Sequence, residues 1–132
     1  MERLSREWYN AICGEIIGSA IDVHRELGPG LLESVYEVCL VKELKSCGLT
    51  VANQVALPIK YKGELLHKDL FIDILVEDSI ILELKSVTEV SNIHKAQLHT
   101  YLKLSDKKLG YLINFNVHLL KNGIHRYILG SL

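Results

Sequence analysis

Only two of the 132 residues are proline, and no Pro/Ser-rich or low-complexity tract interrupts the chain. An interdomain linker is thereby not expected, and no segment recurs that would signal a repeat array. No apolar run approaches the ~18 residues that a membrane span requires. Residues Met1 to Glu7 lack a basic stretch leading into an apolar one, so no export signal is expected. Cysteine is scarce and unpatterned. Cys13, Cys39 and Cys47 form no C-x-x-C pair, which argues against a disulfide framework or a zinc site and for buried free thiols in a reducing cytosol.

Net charge is nearly lacking too, at −1, but the balance is uneven along the chain. Residues 1–83 carry 8 Lys+Arg against 14 Asp+Glu, whereas residues 84–132 carry 7 against 2. Such a partition can set a carboxylate cluster beside a phosphate-tolerant basic surface, though solvated faces that pair on folding are its commoner meaning. What the chain does have is core material, with 48% apolar and 23% charged residues. Area scaling gives roughly 7,000 Å² folded against about 21,600 Å² unfolded, enough burial for one independent domain.

Helical periodicity begins near Trp8, with Ile12, Ile16, Ala20, Val23 and Leu27 on one stripe, and Gly28-Pro29-Gly30 stops it. A second helix is expected from Leu31 to Ser46, with Leu32, Val35 and Cys39 facing the core, joined by Val38 or Leu40, and with Gly48 as its left-handed cap. The period then changes. Segments 50–61 and 64–77 read as strands about a Lys62-Gly63 turn, and Ile80 to Ser86 as a third. Ser91 or Asn92 caps a helix of 92–104, followed by a strand of 109–115 and, after Asn122-Gly123, an edge strand from Ile124 to Leu129. A strand-helix-strand crossover joined to a meander implies a mixed sheet with helices on both faces.

Three charges sit where a buried strand should have none. Asp73 interrupts Leu70-Phe71-Ile72…Ile74-Leu75-Val76, and Glu83 and Lys85 interrupt Ile80-Ile81-Leu82…Leu84. An ionised group amid such runs needs a partner or a metal. If Glu77, Asp78 and Ser79 form a three-residue turn, Asp73 lies directly across from Glu83, while a two-residue turn would place Leu84 there. Two carboxylates so close repel unless a cation lies between them, and oxygen donors select a hard ion, Mg²⁺ or Mn²⁺, with the Leu84 carbonyl as a natural further ligand. The plainer alternative is an edge charge reaching solvent, or Lys85 neutralising one acid in a structural ion pair.

Two helices add polar groups at turn spacing. Glu33 and Tyr36 point together on the second helix, and Gln97 and Tyr101 on the third, with His94 one turn earlier. Each has a bland meaning alone: a first-turn carboxylate favoured by the helix dipole, a core tyrosine, an exposed glutamine.

The stretch Gly30-Leu31-Leu32-Glu33-Ser34-Val35-Tyr36 reads G-x-x-E-x-x-Y. Together with Ile72-Asp73-Ile74, Glu83-Leu84-Lys85, His94-Lys95-Ala96-Gln97-Leu98-His99-Thr100-Tyr101 and Leu112-Ile113-Asn114-Phe115, it resembles the GxxExxY family of small bacterial and archaeal proteins over nearly the whole chain. The resemblance implies membership of the PD-(D/E)XK superfamily, with an α/β, restriction-endonuclease-like, three-layer α/β/α core and a mixed sheet. It implies that Asp73, Glu83 and the helical Glu33 bind Mg²⁺ or Mn²⁺ and that Lys85 positions the attacking water in phosphodiester hydrolysis of nucleic acid, DNA rather than RNA. Gln97, Tyr101, Tyr36 and His94 would contact substrate. The sequence departs from the pattern at Phe71, where an arginine two residues before the aspartate is usual; a phosphate contact is lost there.

The basic C-terminal half, Lys95, Lys103, Lys107, Lys108, Lys121 and Arg126, is expected to supply phosphate contacts, and a homodimer is expected by analogy. The rival reading is a catalytically silent binding module keeping the fold, which the pI of 6.6 favours. A small-nucleotide phosphodiesterase would instead need an enclosed pocket.

Overall fold

A computed structural model describes residues 1–132. Helix α1 spans Arg6–Leu27, starting where the Ser5 hydroxyl accepts the Trp8 N–H at 3.1 Å. Helix α2 spans Glu33–Ser46 and ends in a Schellman motif: Gly48 takes φ +83°, its N–H donating to the Lys45 carbonyl and that of Leu49 to Leu44. Strands β1 (Val51–Tyr61), β2 (Glu64–Val76) and β3 (Ile80–Lys85) follow. Helix α3 (Asn92–Ser105), β4 (Leu109–Asn114), a 3₁₀ turn (Leu120–Gly123) and β5 (Ile124–Ile128) complete the chain.

The sheet runs β1-β2-β3-β4-β5; only β3 and β4 are parallel, because α3 crosses over between them, and the other neighbours are antiparallel. One face packs Ile74, Val76, Ile80, Leu82, Leu84, Tyr111 and Ile113 against α1 and α2. The other packs Leu57, Ile72, Leu75, Ile81 and Leu112 against Leu98, Tyr101 and Leu102 of α3. This is the three-layer mixed-sheet fold expected of the sequence. Its surface of 7844 Å² exceeds the scaling value because the outer half of the β1–β2 hairpin, exposed from Lys60 to Asp69, projects from the core.

The core face of α2 departs from expectation. Tyr36, Leu40 and Leu44 are fully buried at i, i+4 and i+8, while Leu32, Val35 and Val38 are exposed and Cys39 is half-buried. The reason is the Tyr36 ring, which stacks on Phe115 at 4.4 Å and fixes the helix rotation. The thiols differ as well. Cys13 alone is buried, and Cys47, at the exposed end of α2, lies 3.5 Å from the Ser19 hydroxyl.

Strand alternation breaks at one place. Leu70 and Ile72 of β2 face α3, yet Ile74 and Val76 face α1 and α2; on β1, Val55 and Leu57 face α3 while Val51 faces α1 and α2. The switch of face falls on Asp73 and, in the same register, Gln54, which adopts φ +49°. Asp73 therefore stands at a fold in the sheet rather than on one of its faces.

Candidate active site

The β2–β3 connection is the three-residue turn Glu77-Asp78-Ser79, with Glu77 and Asp78 at positive φ, and it sets Ile74 opposite Leu82. Beyond that pair β2 and β3 part. In the opening the Asp73 Oδ2 accepts the Leu84 N–H at 2.8 Å, and the Glu83 Oε1 accepts the Asp73 N–H at 3.4 Å. A side-chain oxygen thus stands in for the next rung of the ladder, leaving the two acids side by side.

Glu83 is buried, with 6% of its surface exposed, and its pKa is pushed up to about 9. Burial is the main cause; the Asp73 charge and a hydrogen bond with its carboxyl add to it, while the Asp73 N–H and, less, the Lys85 charge lower it. With no ion bound, Glu83 therefore keeps its proton at neutral pH. Between 4.5, the ordinary value, and about 9, the folded chain binds a proton that the unfolded chain has lost, so stability falls as pH rises. Melts in EDTA are expected to show this decline, with a slope of at most about 1.4 kcal/mol per pH unit. The decline flattens in Glu83→Gln; an equal slope in that variant would show that Glu83 is not its source.

Lys85 is half-buried one strand period beyond Glu83 and makes no ion pair with either acid; the one ion pair of the chain is Lys107–Asp78, at 3.4 Å. On the α3 face, which Glu83 and Lys85 share with Ile81, the Gln97 side-chain N–H donates to the Tyr101 hydroxyl at 2.9 Å. Burial raises the Tyr101 phenol, Gln97 pulls it back, and the charges of Glu83 and Asp73 raise it further, so this pair lies within the field of the acids. On the other side, Glu33, Ser34, Glu37, Gln54, Asp73 and Leu84 line a cavity of about 380 Å³. Glu33, Ser34 and Gln54 are exposed, which makes it an open cleft rather than the enclosed pocket a small nucleotide would need.

Two expected substrate contacts also make local hydrogen bonds. Tyr36 is fully buried, its hydroxyl donating to the Gly28 carbonyl at 2.6 Å and accepting the Leu31 N–H at 3.2 Å, so it ties the Gly28-Pro29-Gly30 turn to α2. His94 forms a capping box with Ser91, its Nδ1 accepting the Ser91 N–H at 3.2 Å. The Tyr36 hydroxyl is fully engaged in these bonds, whereas the capping box uses one ring nitrogen of the half-buried His94. Four of the six expected phosphate contacts fall in three separate places: Lys107 pairs with Asp78 and shares a pocket with Lys108 and Arg3, Lys121 lies with Arg25 and His118 near the end of α1, and Arg126 lies beside Arg6.

Gln54 and Glu37 were not foreseen at the site. Counting from the hairpin turn, where Tyr61 pairs with Glu64, would set Ala52 opposite Asp73; an irregularity between Pro58 and Lys60 shifts the register by two and brings Gln54 there. Pro58, with no N–H to donate, is the only sequence signal of that shift.

No three His, Cys, Asp or Glu side chains come close enough to enclose an ion by themselves. The donor chemistry nevertheless suits a hard divalent cation that keeps much of its water: two neighbouring carboxyls without a cationic partner, of which Asp73 lines the open cleft and Glu83 does not. Asp73 and Glu83 would hold it, with Glu33 at the cleft wall. The Leu84 carbonyl points to the same side of β3 as the N–H that meets Asp73.

A mixed sheet covered by helices on both faces, with its antiparallel strands parting around an acid pair and a lysine two residues on, is the arrangement of a nuclease-like α/β protein. A family model for the PD-(D/E)XK nuclease superfamily matches residues 10–127, and the chain belongs to that superfamily. No curated protein and no solved structure matches it significantly. No helix is long and apolar enough to cross a membrane.

Proposed function

We propose that this protein hydrolyses phosphodiester bonds of nucleic acid with the help of a divalent cation. The observation that carries the reading is the buried Glu83 beside the half-buried Asp73, a pair that forms no ion pair with any basic side chain. Asp73, Glu83 and Glu33 are the residues that would hold the ion, which when bound supplies Lewis-acid stabilisation and a more acidic water. Lys85, free of any ion pair, orients the attacking water and offsets charge gathering on the phosphoryl oxygens. Water oxygen bonds to phosphorus, the ester P–O bond breaks, and the proton ends on the leaving oxygen. Gln97 and Tyr101 steady the strand being cut. Mg²⁺ or Mn²⁺ as the ion, DNA as the substrate, the GxxExxY branch of the superfamily, a homodimeric form and a cytosolic setting belong to the same proposal.

The test uses labelled single-stranded, duplex and branched DNA and RNA with Mg²⁺ or Mn²⁺. Wild type is expected to cut at least one of them, and Lys85→Ala to lose about 10²–10³ in kcat, the cost of removing one preorganised stabilising group. The scattered basic side chains favour a second reading, a silent binding module. Metal binding with no cleavage of any substrate would establish that reading and overturn the first.

A further inference from the structure

We propose that Gln54 is a positioning residue that holds the Asp73 carboxylate in its metal-binding orientation. The inference rests on Asp73 being a metal ligand and adds a residue that neither the motif nor the family match identifies. Gln54 lies inside β1 yet has left-handed backbone, φ +49°, a conformation that costs a residue with a Cβ and that persists where surrounding structure enforces it. Its ladder partner by register is Asp73. The left-handed turn takes Gln54 out of the ladder, and its side chain reaches the two acids instead. Its Nε2 donates to Glu37 Oε1 at 2.7 Å and to Asp73 Oδ1 at 3.4 Å.

The orientation of the amide follows from chemistry. Both neighbours are carboxylates, which only accept, so Gln54 must present its NH₂ group and not its carbonyl. Glu37 is held in turn by Asn53, whose Nδ2 donates to Oε2 at 3.4 Å. Asp73 is then addressed at both oxygens, Oδ1 by Gln54 and Oδ2 by the Leu84 N–H at 2.8 Å. Its rotamer is set from the β1 side and the β3 side together, so the carboxylate is preorganised before any ion arrives. Partners of this kind raise metal affinity by fixing their ligand.

Calorimetric titration with Mn²⁺, alongside thermal melts, tests this. Gln54→Gly removes both the amide and the backbone penalty: Tm is expected to rise or hold, while Mn²⁺ affinity weakens roughly tenfold. A merely structural role would move affinity and Tm in the same direction. Gln54→Asn keeps an amide and tolerates the left-handed backbone but is one methylene shorter, and an intermediate weakening is expected. Wild-type binding with unchanged affinity in both variants overturns the role of Gln54 and leaves the metal reading intact. Absence of Mn²⁺ binding by wild type overturns the metal reading itself, and this inference with it.

Discussion

Asp73→Ala is expected to abolish divalent-cation binding in calorimetry and to lower kcat by about 10³ or more, the factor that several kcal/mol of metal-borne stabilisation represents. The variant also strips the Leu84 N–H of its acceptor, so a second substitution separates chemistry from scaffold. Asp73→Asn retains an oxygen for that N–H and removes the charge, while its other position, which faces the Gln54 NH₂ group, turns from acceptor to donor. Its fold, followed by circular dichroism and Tm, is expected to stay close to wild type while metal binding and cleavage fail. In both variants the Glu83 pKa falls from about 9, because the like charge and the hydrogen bond with the Asp73 carboxyl are gone, but burial, the larger cause, keeps it above 4.5. Carboxyl NMR titration reads that shift. Undiminished cleavage in Asp73→Asn would remove the acid pair from the mechanism.

Gly123→Ala is expected to have the largest effect on stability. Gly123 is buried against the end of β4, and a Cβ there would press into the Asn114 carbonyl, with Val117 Cγ2 only 3.1 Å away. Backbone cannot swing aside as a flexible side chain can, so β4 itself must move. That movement would spread, because the buried Asn114 side chain accepts the N–H groups of Val87 and Asn116 at 3.1 Å and donates to the Val87 carbonyl at 2.9 Å, holding the loop that follows Lys85. A loss of about 3 kcal/mol is expected, a fall in Tm of about 10 °C. Gly110→Ala is the control. Its Cβ would meet Leu98 Cδ1 at 2.8 Å, the end of a flexible though buried side chain, and the Ile81 carbonyl at 3.2 Å, a tight contact without overlap, so the loss should be smaller. Equal melting of the two variants would refute the distinction.

Much of the architecture was legible because it rests on local rules. The cap at Ser91 could be read from residue type and periodicity, whereas the turn between β2 and β3 was open between three residues and two, and only the structure decides for three. Three residues bring Asp73 beside Glu83, one step past the last ladder pair. Tyr36 could not be read so well: the same i, i+3 spacing that sets it beside Glu33 also suits a core residue, and only its stacking on Phe115 and its bond to Gly28 decide between them. Gln54 was hidden by the register shift near Pro58, since hairpin counting assumes a regular ladder.

The sequence by itself determined the element order, the mixed α/β class and the three charged positions that a buried strand would not otherwise carry, because periodicity and desolvation act on neighbours along the chain. Only the tertiary structure decided that the sheet changes face at Asp73 and that Gln54 and Glu37 join the cleft. Those outcomes depend on the parting of β2 from β3 and on the rotation of α2, which are set by packing between segments far apart in sequence.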